Sequence, residues 1–402
     1  MIKPHIVILG AGYGGIMTAV KLQKQLGKNE AEITLVHKYD YHFQASCLHE
    51  NAAGTRHQDR SKIKIKEIIN RSKINFIIDE VVSIKRNSKK IKFKNKELHY
   101  DLLVIGLGFE PRAEGIPGLD EHAYSITDIN SARFVREHIE YNFASYANAV
   151  KKDESKLNIV IGGGGILGVE FAGELINQIP EICREFDIEK TQVHISILEE
   201  SKSLLPGFDE KLAHYAATSL QSRGVEIIHQ AKLKECQDNK IIYETEGKDH
   251  KICTHTFIWT GGVQANPAFE KAGLALKNKK IEVDPNMLST KDNSIFAVGE
   301  CAYTADENGE EVLPTAKKAI EEAAVVAKNV SSRLRNKELT ACQPVRQGML
   351  ATLGRDDGVA VIQNRRVFGW KAVLVKRVFD NHYLFQLGGW QLLLKKGYFH
   401  LL

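Results

Sequence analysis

Two glycine-rich turns are the residues of this sequence whose spacing points most directly to chemistry. Both fit the pattern GxGxxG, and each follows an apolar run: the first follows Ile6–Leu9 and the second follows Leu157–Ile161. In a strand–turn–helix context such glycines allow a tight turn, a close approach of the backbone to a pyrophosphate, and packing of the helix on the strand. The residues of the two turns are Gly10, Ala11, Gly12, Tyr13, Gly14 and Gly15, and Gly163, Gly164, Gly165, Ile166, Leu167 and Gly168.

Two such turns, both in register with a strand, imply that two dinucleotides bind at once. The N-terminus of the helix after each turn faces the anionic pyrophosphate. Hydride transfer from a nicotinamide to a flavin is the chemistry that requires such a pair of sites.

The elements around the turns repeat in the same order. The first turn leads into a predicted helix over 13–26 and a strand over 33–36, and the second into a helix over 166–186 and a strand over 193–198. The run 102–105 ends in Gly-Leu-Gly, much as the run 256–259 leads into Thr-Gly-Gly. This internal repeat of elements predicts an α/β fold with two Rossmann-like dinucleotide-binding domains. Further predicted elements are helices over 128–149 and 315–335, a strand over 294–299, and paired strands over Phe76–Ile84 and Lys90–Phe93.

Composition narrows the class of protein. With 43% hydrophobic and 26% charged residues the chain resembles an ordinary soluble protein, and 402 residues suffice for two or three domains. No apolar run approaches the roughly 20 residues that span a bilayer. The first strand starts near Ile6, which leaves no room for a signal peptide, so we expect a cytosolic location. The six cysteines show no CxxC pattern; reduced thiols are expected, and no metal site is predicted.

Much of the net charge of +5 comes from lysines crowded into residues 62–98. We interpret this run as the solvated face of a small sheet. Binding of nucleic acid is disfavoured because neither regularly interleaved aromatic residues nor a recognition motif accompanies the lysines. Attraction to an anionic membrane surface is the other alternative.

The motifs in this order resemble those of two-dinucleotide-binding-domain flavoproteins, and most closely those of type II NADH dehydrogenases, the single-subunit NADH:quinone oxidoreductases of bacterial membranes. The resemblance covers essentially the whole chain. Besides the two turns, it is carried by 40–42, 48–50, 53–55, 169–171, 205–208, 259–263, 297–302, 314–316 and 394–397.

The resemblance implies bound FAD, NADH as substrate and a lipid quinone as acceptor. It implies an FAD-binding domain of residues 1–115 and 270–340, an NADH-binding domain of residues 116–269, and a C-terminal segment of residues 341–402. The expected FAD-binding residues are Gly10, Gly12, Tyr13, Gly14, Gly15, His37, Lys38, Val81, Gly108, Glu300, Ala316 and Lys317. The expected NADH-binding residues are Gly163, Gly165, Gly168, Glu199 and Gly262.

Two carboxylates receive specific roles. Glu199 follows the strand over 193–198, where a carboxylate accepts from both ribose hydroxyls and repels a 2′-phosphate, so NADH should be preferred to NADPH. Lys202 stands nearby and could weaken that preference. Glu170 is the candidate catalytic residue, because the family places a Glu here near the junction of flavin, nicotinamide and quinone. Its alternative role is that of a partner for the helix dipole.

Three sites depart from the expected pattern. Glu300 stands where the family usually has Asp, so we expect its contact with the flavin to shift by one methylene; a plain surface acid is the alternative. His37 and Lys38 replace the ribose-binding acid of a Rossmann unit, and either line the adenosine end or are merely exposed. Lys317 and Glu321 replace two amides on the quinone side and could pair with each other. A lysine beside the flavin would stabilise its anionic reduced form and alter the acceptor step.

Cys47 could form a thiolate pair with a flavin, as in single-cysteine disulfide or peroxide reductases. We interpret it instead as a small buried thiol, because the family usually has another residue here. Sulfide:quinone reductases need two cysteines that flank the flavin, and no second one stands at the expected place. Cys301 carries no redox role in this interpretation.

Residues 369–402 combine aromatic and aliphatic residues with lysine and arginine, and Asp380 is their only acid. Such segments lie in a membrane interface without spanning it. The resemblance implies a peripheral protein on the cytoplasmic face of the cell membrane, and a homodimer. A buried helix pair of a dimer or a domain is the alternative.

The predicted function is therefore NADH oxidation through FAD, with electrons passed to a membrane quinone and no proton pumping. The alternatives are a flavoprotein reductase with another acceptor, such as a disulfide, a peroxide or a soluble quinone, and a slow NADH-binding redox sensor. The Lys317 and Glu321 pair keeps both alternatives open.

Overall fold

Two parallel sheets carry the two glycine turns. The computed structural model describes residues 3–111, 115–306, 309–312, 314–343, 348–363 and 365–399. The strands of the two sheets are β1 (His5–Leu9), β2 (Glu32–His37), β3 (Ile74–Ile78), β4 (Leu102–Ile105), β5 (Tyr124–Ser125), β6 (Asn158–Gly162), β7 (His194–Glu199), β8 (Val225–His229), β9 (Thr256–Trp259), β10 (Leu288–Ser289) and β11 (Asp292–Ala297).

The helices are α1 (Tyr13–Gln25), α2 (Leu48–Ala53), α3 (Gln58–Ser61), α4 (Ile65–Ile68), α5 (Leu119–His122), α6 (Ile129–Asn148), α7 (Ile166–Phe186), α8 (Glu210–Ser222), α9 (Pro267–Glu270), α10 (Ala316–Leu334) and α11 (Trp370–Lys396). Smaller sheets are formed by Tyr41–Phe43 with Lys62–Lys64; by Val81–Lys85, Lys90–Phe93 and Glu97–His99; by Phe109–Pro111 with Val263–Ala265; by Lys232–Gln237, Lys240–Thr245 and Lys248–Cys253; by Leu276–Lys277, Lys280–Glu282 and Ala302–Tyr303; and by Leu350–Thr352, Gly358–Ile362 and Arg365–Phe368.

The two parallel sheets share one arrangement. The first has the order β10-β11-β4-β1-β2-β3, with only β10 antiparallel, and the second has the order β5-β9-β6-β7-β8. In each sheet, the strand before the glycine turn (β1 or β6) lies at the centre. The next strand of that motif (β2 or β7) pairs with it on one side, and the strand that ends in the second glycine-containing turn (β4 or β9) pairs with it on the other. The predicted α/β fold of two Rossmann-like units is therefore confirmed.

The central strands are buried on both faces, which is why they are continuous apolar runs. Ile6, Val7, Ile8 and Leu9 of β1 are fully buried, and α1 and α10 pack together beside them. The first core also includes Tyr383, Leu384, Leu387 and Leu392 from α11. The C-terminal helix is thus partly a core element of the first unit.

One predicted element is wrong in detail. The run 76–84 is not one strand: β3 ends at Ile78 and pairs in parallel with β2, while Val81–Lys85 pairs with Lys90–Phe93 in a separate sheet. Asp79 separates the two, since its side chain accepts a hydrogen bond from the Glu80 N–H, a local turn that apolar alternation does not reveal. The helix predicted over 128–149 is confirmed, with Asp128 as its capping residue.

Helix α11 has two unlike faces. Lys376, Asp380 and Tyr383 are buried, whereas Trp370, Trp390 and Leu394 are 57%, 68% and 69% exposed. Its backbone leaves helical geometry at Gly388 and Gly389, which kinks the helix. Within the described parts of the chain, no helix is both long and apolar enough to cross a membrane.

Candidate active site

The first glycine turn is built by close backbone contacts. A Cβ on Gly10 would lie 2.2 Å from the Gly106 carbonyl oxygen, and one on Gly15 would lie 2.0 Å from the Gly10 carbonyl oxygen. A Cβ on Gly12, by contrast, would meet no atom within 4 Å. Gly10 and Gly15 are therefore required by the fold, while Gly12 keeps open the space at the start of α1 that a pyrophosphate would fill.

The second turn repeats this geometry. A Cβ on Gly168 would lie 2.0 Å from the Gly163 carbonyl oxygen, and one on Gly163 would lie 2.8 Å from Thr260 Oγ1. Gly165, the counterpart of Gly12, again faces open space. Gly262, with φ +60°, stands two residues beyond Thr260. Both turns thus fit the pyrophosphate of a dinucleotide.

The residues after β2 and β7 differ in hydrogen-bonding character. His37 Nδ1 accepts from the Ala11 N–H at 3.2 Å, and burial lowers the pKa of His37 to about 3. The ring is therefore neutral with its proton on Nε2, a buried atom with no partner in the described structure. That donor fits a hydroxyl or ring nitrogen of an adenosine. Lys38 is exposed, and Val81 stands three residues after Ile78, which pairs with His37.

Glu199 is an acceptor at the matching place in the second unit. Its carboxylate accepts from the Gly164 N–H at 2.6 Å and from the Ser201 N–H at 2.7 Å. These two bonds fix the carboxylate beside the second turn. Each oxygen keeps a lone pair that could accept from a ribose hydroxyl.

Glu300 lies on a turn beside the first unit. Its carboxylate accepts from the Phe109 N–H, and the residue is exposed at the mouth of this turn. A Cβ built on Gly108 would lie 3.5 Å from Glu300 Oε2. Val298, two residues before Glu300, lies against Gly14. Glu300 and Gly108 therefore lie close to the first glycine turn.

Helix α10 begins next to the Glu300 turn. Ala316 and Lys317 are its first residues, and Ala319 lies 3.5 Å from the place of a Cβ on Gly299. The Lys317 ammonium and Glu321 carboxylate are 3.9 Å apart and partly exposed. Such a long, solvated pair cancels the lysine charge only in part.

Glu170 lies between the two units. Its Oε1 accepts from the Thr352 N–H at 3.0 Å and the Thr352 hydroxyl at 2.9 Å, and its Oε2 is 3.2 Å from His49 Nδ1. Burial raises the pKa of Glu170 to about 7, although the Lys376 charge opposes the shift. The carboxyl group can therefore change protonation state near neutral pH, which suits proton transfer.

Glu170 is surrounded by a buried polar cluster to which the sequence analysis gave no role. Its members are Glu50, Arg56, Lys376, Asp380 and Tyr398. The Lys376 ammonium donates to Glu50 at 3.1 Å, and the Tyr398 hydroxyl donates to the same carboxylate at 3.3 Å. Burial raises the pKa of Asp380 to about 6. The cluster lines a cavity of about 180 Å³. The spacing of Lys376 and Asp380, four apart in a mostly apolar helix, was the signal in the sequence.

The same helix face reaches the first glycine turn. The Tyr383 hydroxyl donates to His42 Nε2 at 2.7 Å, and His42 Nδ1 donates to the Ala11 carbonyl at 2.8 Å. The Tyr13 hydroxyl is 2.8 Å from Ser46 Oγ, which in turn lies 3.4 Å from Asp380. Polar side chains of α11 therefore line the surroundings of the first glycine turn.

Cys47 is fully buried among these polar side chains. Its sulfur lies 3.3 Å from the Tyr398 hydroxyl, and burial raises its pKa to about 12. All six cysteines are free. The geometry therefore gives Cys47 a neutral thiol, not the thiolate that a cysteine-based reductase needs.

Comparison with known proteins agrees with this geometry. Residues 4–323 match the family model described as pyridine nucleotide-disulphide oxidoreductase. The type II NADH:quinone oxidoreductase of Staphylococcus epidermidis is 34% identical over 398 residues, which are 99% of this chain and 99% of the relative. This chain belongs to the type II NADH:quinone oxidoreductase family.

Solved structures share the fold. NDH2 from Plasmodium falciparum in complex with NADH has a TM-score of 0.85 at 17% identity and covers 98% of this chain, with 97% of its own chain matched. The sulfide:quinone oxidoreductase of Aquifex aeolicus has a TM-score of 0.79 at 21% identity, with 96% and 91% covered. The resemblance to type II NADH dehydrogenases predicted from the motifs is confirmed.

We expect the pH profile of turnover to report Glu170. Since its carboxyl is protonated below about pH 7 and ionised above it, kcat should change slope near that pH. Glu170→Gln should remove the inflexion and lower kcat on the order of 10²-fold, the lower range of general acid–base effects. Thr352→Val removes a bond that stabilises the ionised form, so it should move the inflexion to higher pH. An unchanged inflexion in Glu170→Gln would contradict the role.

Cys47→Ser should keep most of the turnover. The buried thiol is neutral, and a serine hydroxyl can still bond to Tyr398. Steady-state rates and the spectrum of the NADH-reduced protein provide the measurement, with no long-wavelength thiolate–flavin band expected in the wild type. Loss of nearly all turnover would instead indicate a cysteine-based reductase.

Proposed function

We propose that this protein is an FAD-dependent NADH:quinone oxidoreductase that does not pump protons and feeds electrons to a membrane quinone. One observation carries the proposal: two matching glycine turns, one in each unit, with a carboxyl group of near-neutral pKa between them. Family membership at 34% identity over the whole chain supports it.

The proposed division of labour follows the two units. Residues 1–115 with 270–340 hold FAD, residues 116–269 hold NADH, and residues 341–402 form the C-terminal segment. In the first unit the N-terminus of α1, the His37 Nε2–H and Glu300 bind and orient FAD. In the second, the N-terminus of α7 and Glu199 bind NADH. Bound FAD would supply the redox chemistry, taking a hydride from NADH and passing two electrons to quinone, while Glu170 holds or releases a proton nearby.

The acceptor is the least constrained part of the proposal. Lys317 stands at the start of α10, beside the turn of Glu300, and its long, partly exposed pair with Glu321 cancels the lysine charge only in part. A disulfide or peroxide acceptor is disfavoured by the buried neutral thiol of Cys47. A slow redox sensor differs from a quinone reductase only in turnover rate.

The decisive experiment is an acceptor profile of purified, FAD-loaded protein with NADH. A water-soluble quinone should be reduced much faster than a disulfide, peroxide or oxygen. Lys317→Gln with Glu321→Gln should lower the flavin midpoint potential and speed quinone reduction, because a partly screened charge is worth on the order of 1–3 kcal/mol at an effective dielectric near 20. Flavin reduction by NADH, followed by stopped flow, should change little. Faster reduction of another acceptor would overturn the proposal.

We expect NADH to be strongly preferred to NADPH. The Glu199 charge is fixed by two backbone N–H groups where a 2′-phosphate would approach. Two charges about 4 Å apart interact by about 4 kcal/mol at an effective dielectric of 20, so Glu199→Gln should narrow the preference by 10-fold or more. The ratio of kcat/KM values measures it. Glu200→Gln, a change at the exposed neighbour, is the control and should keep the ratio.

Peripheral membrane binding is proposed for the exposed face of α11, on the cytoplasmic side of the cell membrane, together with a homodimer. Trp370, Trp390 and Leu394 are exposed on this helix, and Lys371 stands beside Trp370. Aromatic and basic residues on one face are typical of interfacial helices. The buried polar residues of the same helix mean that deleting 369–402 would also damage the first site, so surface substitutions make the sharper test.

Trp390→Ser with Leu394→Ser should greatly reduce flotation with anionic lipid vesicles. Each buried apolar side chain contributes about 1.5–3 kcal/mol to such partitioning. Phe134→Ser with Tyr141→Ser is the matched control, since these residues of α6 are 58% and 68% exposed. Flavin reduction by NADH should stay near the wild-type rate in both variants. Equal flotation of both would refute the assignment of this face.

A further inference from the structure

Helix α10 contains a second lysine–glutamate pair, one position on from Lys317 and Glu321. The Lys318 ammonium lies 3.0 Å from Glu322 Oε1, and the two side chains are 8% and 2% exposed. Burying two charges costs free energy that their mutual attraction rarely exceeds. A buried pair of this kind is therefore weakly explained by stability alone.

Among the described residues, the other side-chain hydrogen bonds of the pair all reach one short segment. Glu322 Oε2 accepts from the Gly299 N–H at 2.8 Å, and Glu322 Oε1 lies 3.3 Å from the donating Thr304 hydroxyl. The Lys318 ammonium donates to the Ala302 carbonyl at 3.4 Å. The pair thus binds the segment 299–304 to α10 at three points.

This segment presents Glu300 to the first glycine turn. Gly299 has φ +79°, so its N–H is held in a backbone conformation that favours glycine. Glu300 is the next residue, and its carboxylate accepts from Phe109 beside Gly108. On the other side of Gly299, Val298 lies against Gly14. A shift of the Gly299 amide would move both the contact of Glu300 with Phe109 and the contact of Val298 with Gly14.

We propose that Glu322 is a positioning residue for FAD: it anchors the Gly299 N–H and so fixes where Glu300 meets the cofactor, while Lys318 balances its charge. The inference rests on the proposed binding of FAD at the first glycine turn. Among the described residues, the outer pair of Lys317 and Glu321 makes no hydrogen bond with the segment 299–304, so it does not anchor Glu300.

The test compares two double variants that both remove the two charges. Lys318→Met with Glu322→Gln keeps an oxygen that can accept from Gly299, whereas Lys318→Met with Glu322→Met removes it. Both replacements preserve side-chain volume closely. Apoprotein is titrated with FAD to obtain Kd, and the thermal midpoint of the apoprotein is recorded. Glu137→Gln, which breaks an exposed i,i+4 pair on α6, is the control.

The glutamine variant should bind FAD nearly as tightly as the wild type. The methionine variant should bind at least about tenfold more weakly, which corresponds to about 1.4 kcal/mol, with similar apoprotein midpoints for the two. The control should leave Kd unchanged. Equal Kd values for the two double variants, each folded, would overturn the inference.

A single change covers the case in which the methionine variant does not fold. Glu322→Asp keeps the charge beside Lys318 but withdraws the carboxylate by one methylene, so it should weaken FAD binding more than the glutamine double variant does. The opposite order would overturn the inference. Failure of the wild type itself to bind FAD would overturn the proposed function as well, whereas tight wild-type binding with no difference among the variants would overturn the positioning role alone.

Discussion

The closest approach of backbone to backbone in the two glycine turns is the constraint on which the rest of the structure depends. The Cβ positions of Gly15 and Gly168 lie 2.0 Å from carbonyl oxygens of the first glycine in their own turns. No other residue fits there, and the helices after the turns can therefore start close to the central strands. The same approach leaves the middle glycines facing open space. Two binding places of equal shape follow, and their different neighbours, His37 and Glu199, make them chemically distinct.

Much of the fold followed from local patterns, because the central strands are apolar runs and the turns need glycine. The two-unit arrangement and the long helices were predicted on these grounds, whereas the roles expected of Glu170 and Glu300 came from the resemblance to a family and that of Glu199 from its place after a strand. The division at Asp79 was missed because a single side-chain-to-backbone bond decides it. The buried cluster of Glu50, Lys376 and Tyr398 was also missed, since it joins residues more than 300 positions apart. The spacing of Lys376 and Asp380 marks a polar stripe on α11, but the partners of that stripe are set by how α11 docks, which no local pattern records.

The charge balance of that cluster explains why α11 has polar residues on its inner face. Glu50, Glu170 and Asp380 face Lys376 and Arg56 in a region that is largely buried. Removing one member leaves an uncompensated buried charge, which is strongly destabilising, by about 3–5 kcal/mol. The raised pKa values of Glu170 and Asp380 reduce this cost because a proton can replace the missing positive charge. Stability and proton handling therefore depend on the same side chains.

The first sheet has a consequence for how the chain folds during synthesis. Strand β11 completes this sheet by pairing Ile295 with Leu103, whereas all strands of the second sheet lie between residues 124 and 259. A ribosome therefore releases a complete second sheet before the first has received its last parallel strand. Until then Gly14 lacks its contact with Val298, and the first glycine turn at the start of α1 is incomplete. Since closing a long loop costs little more than closing a moderate one, the late arrival of β11 delays the first site without weakening it.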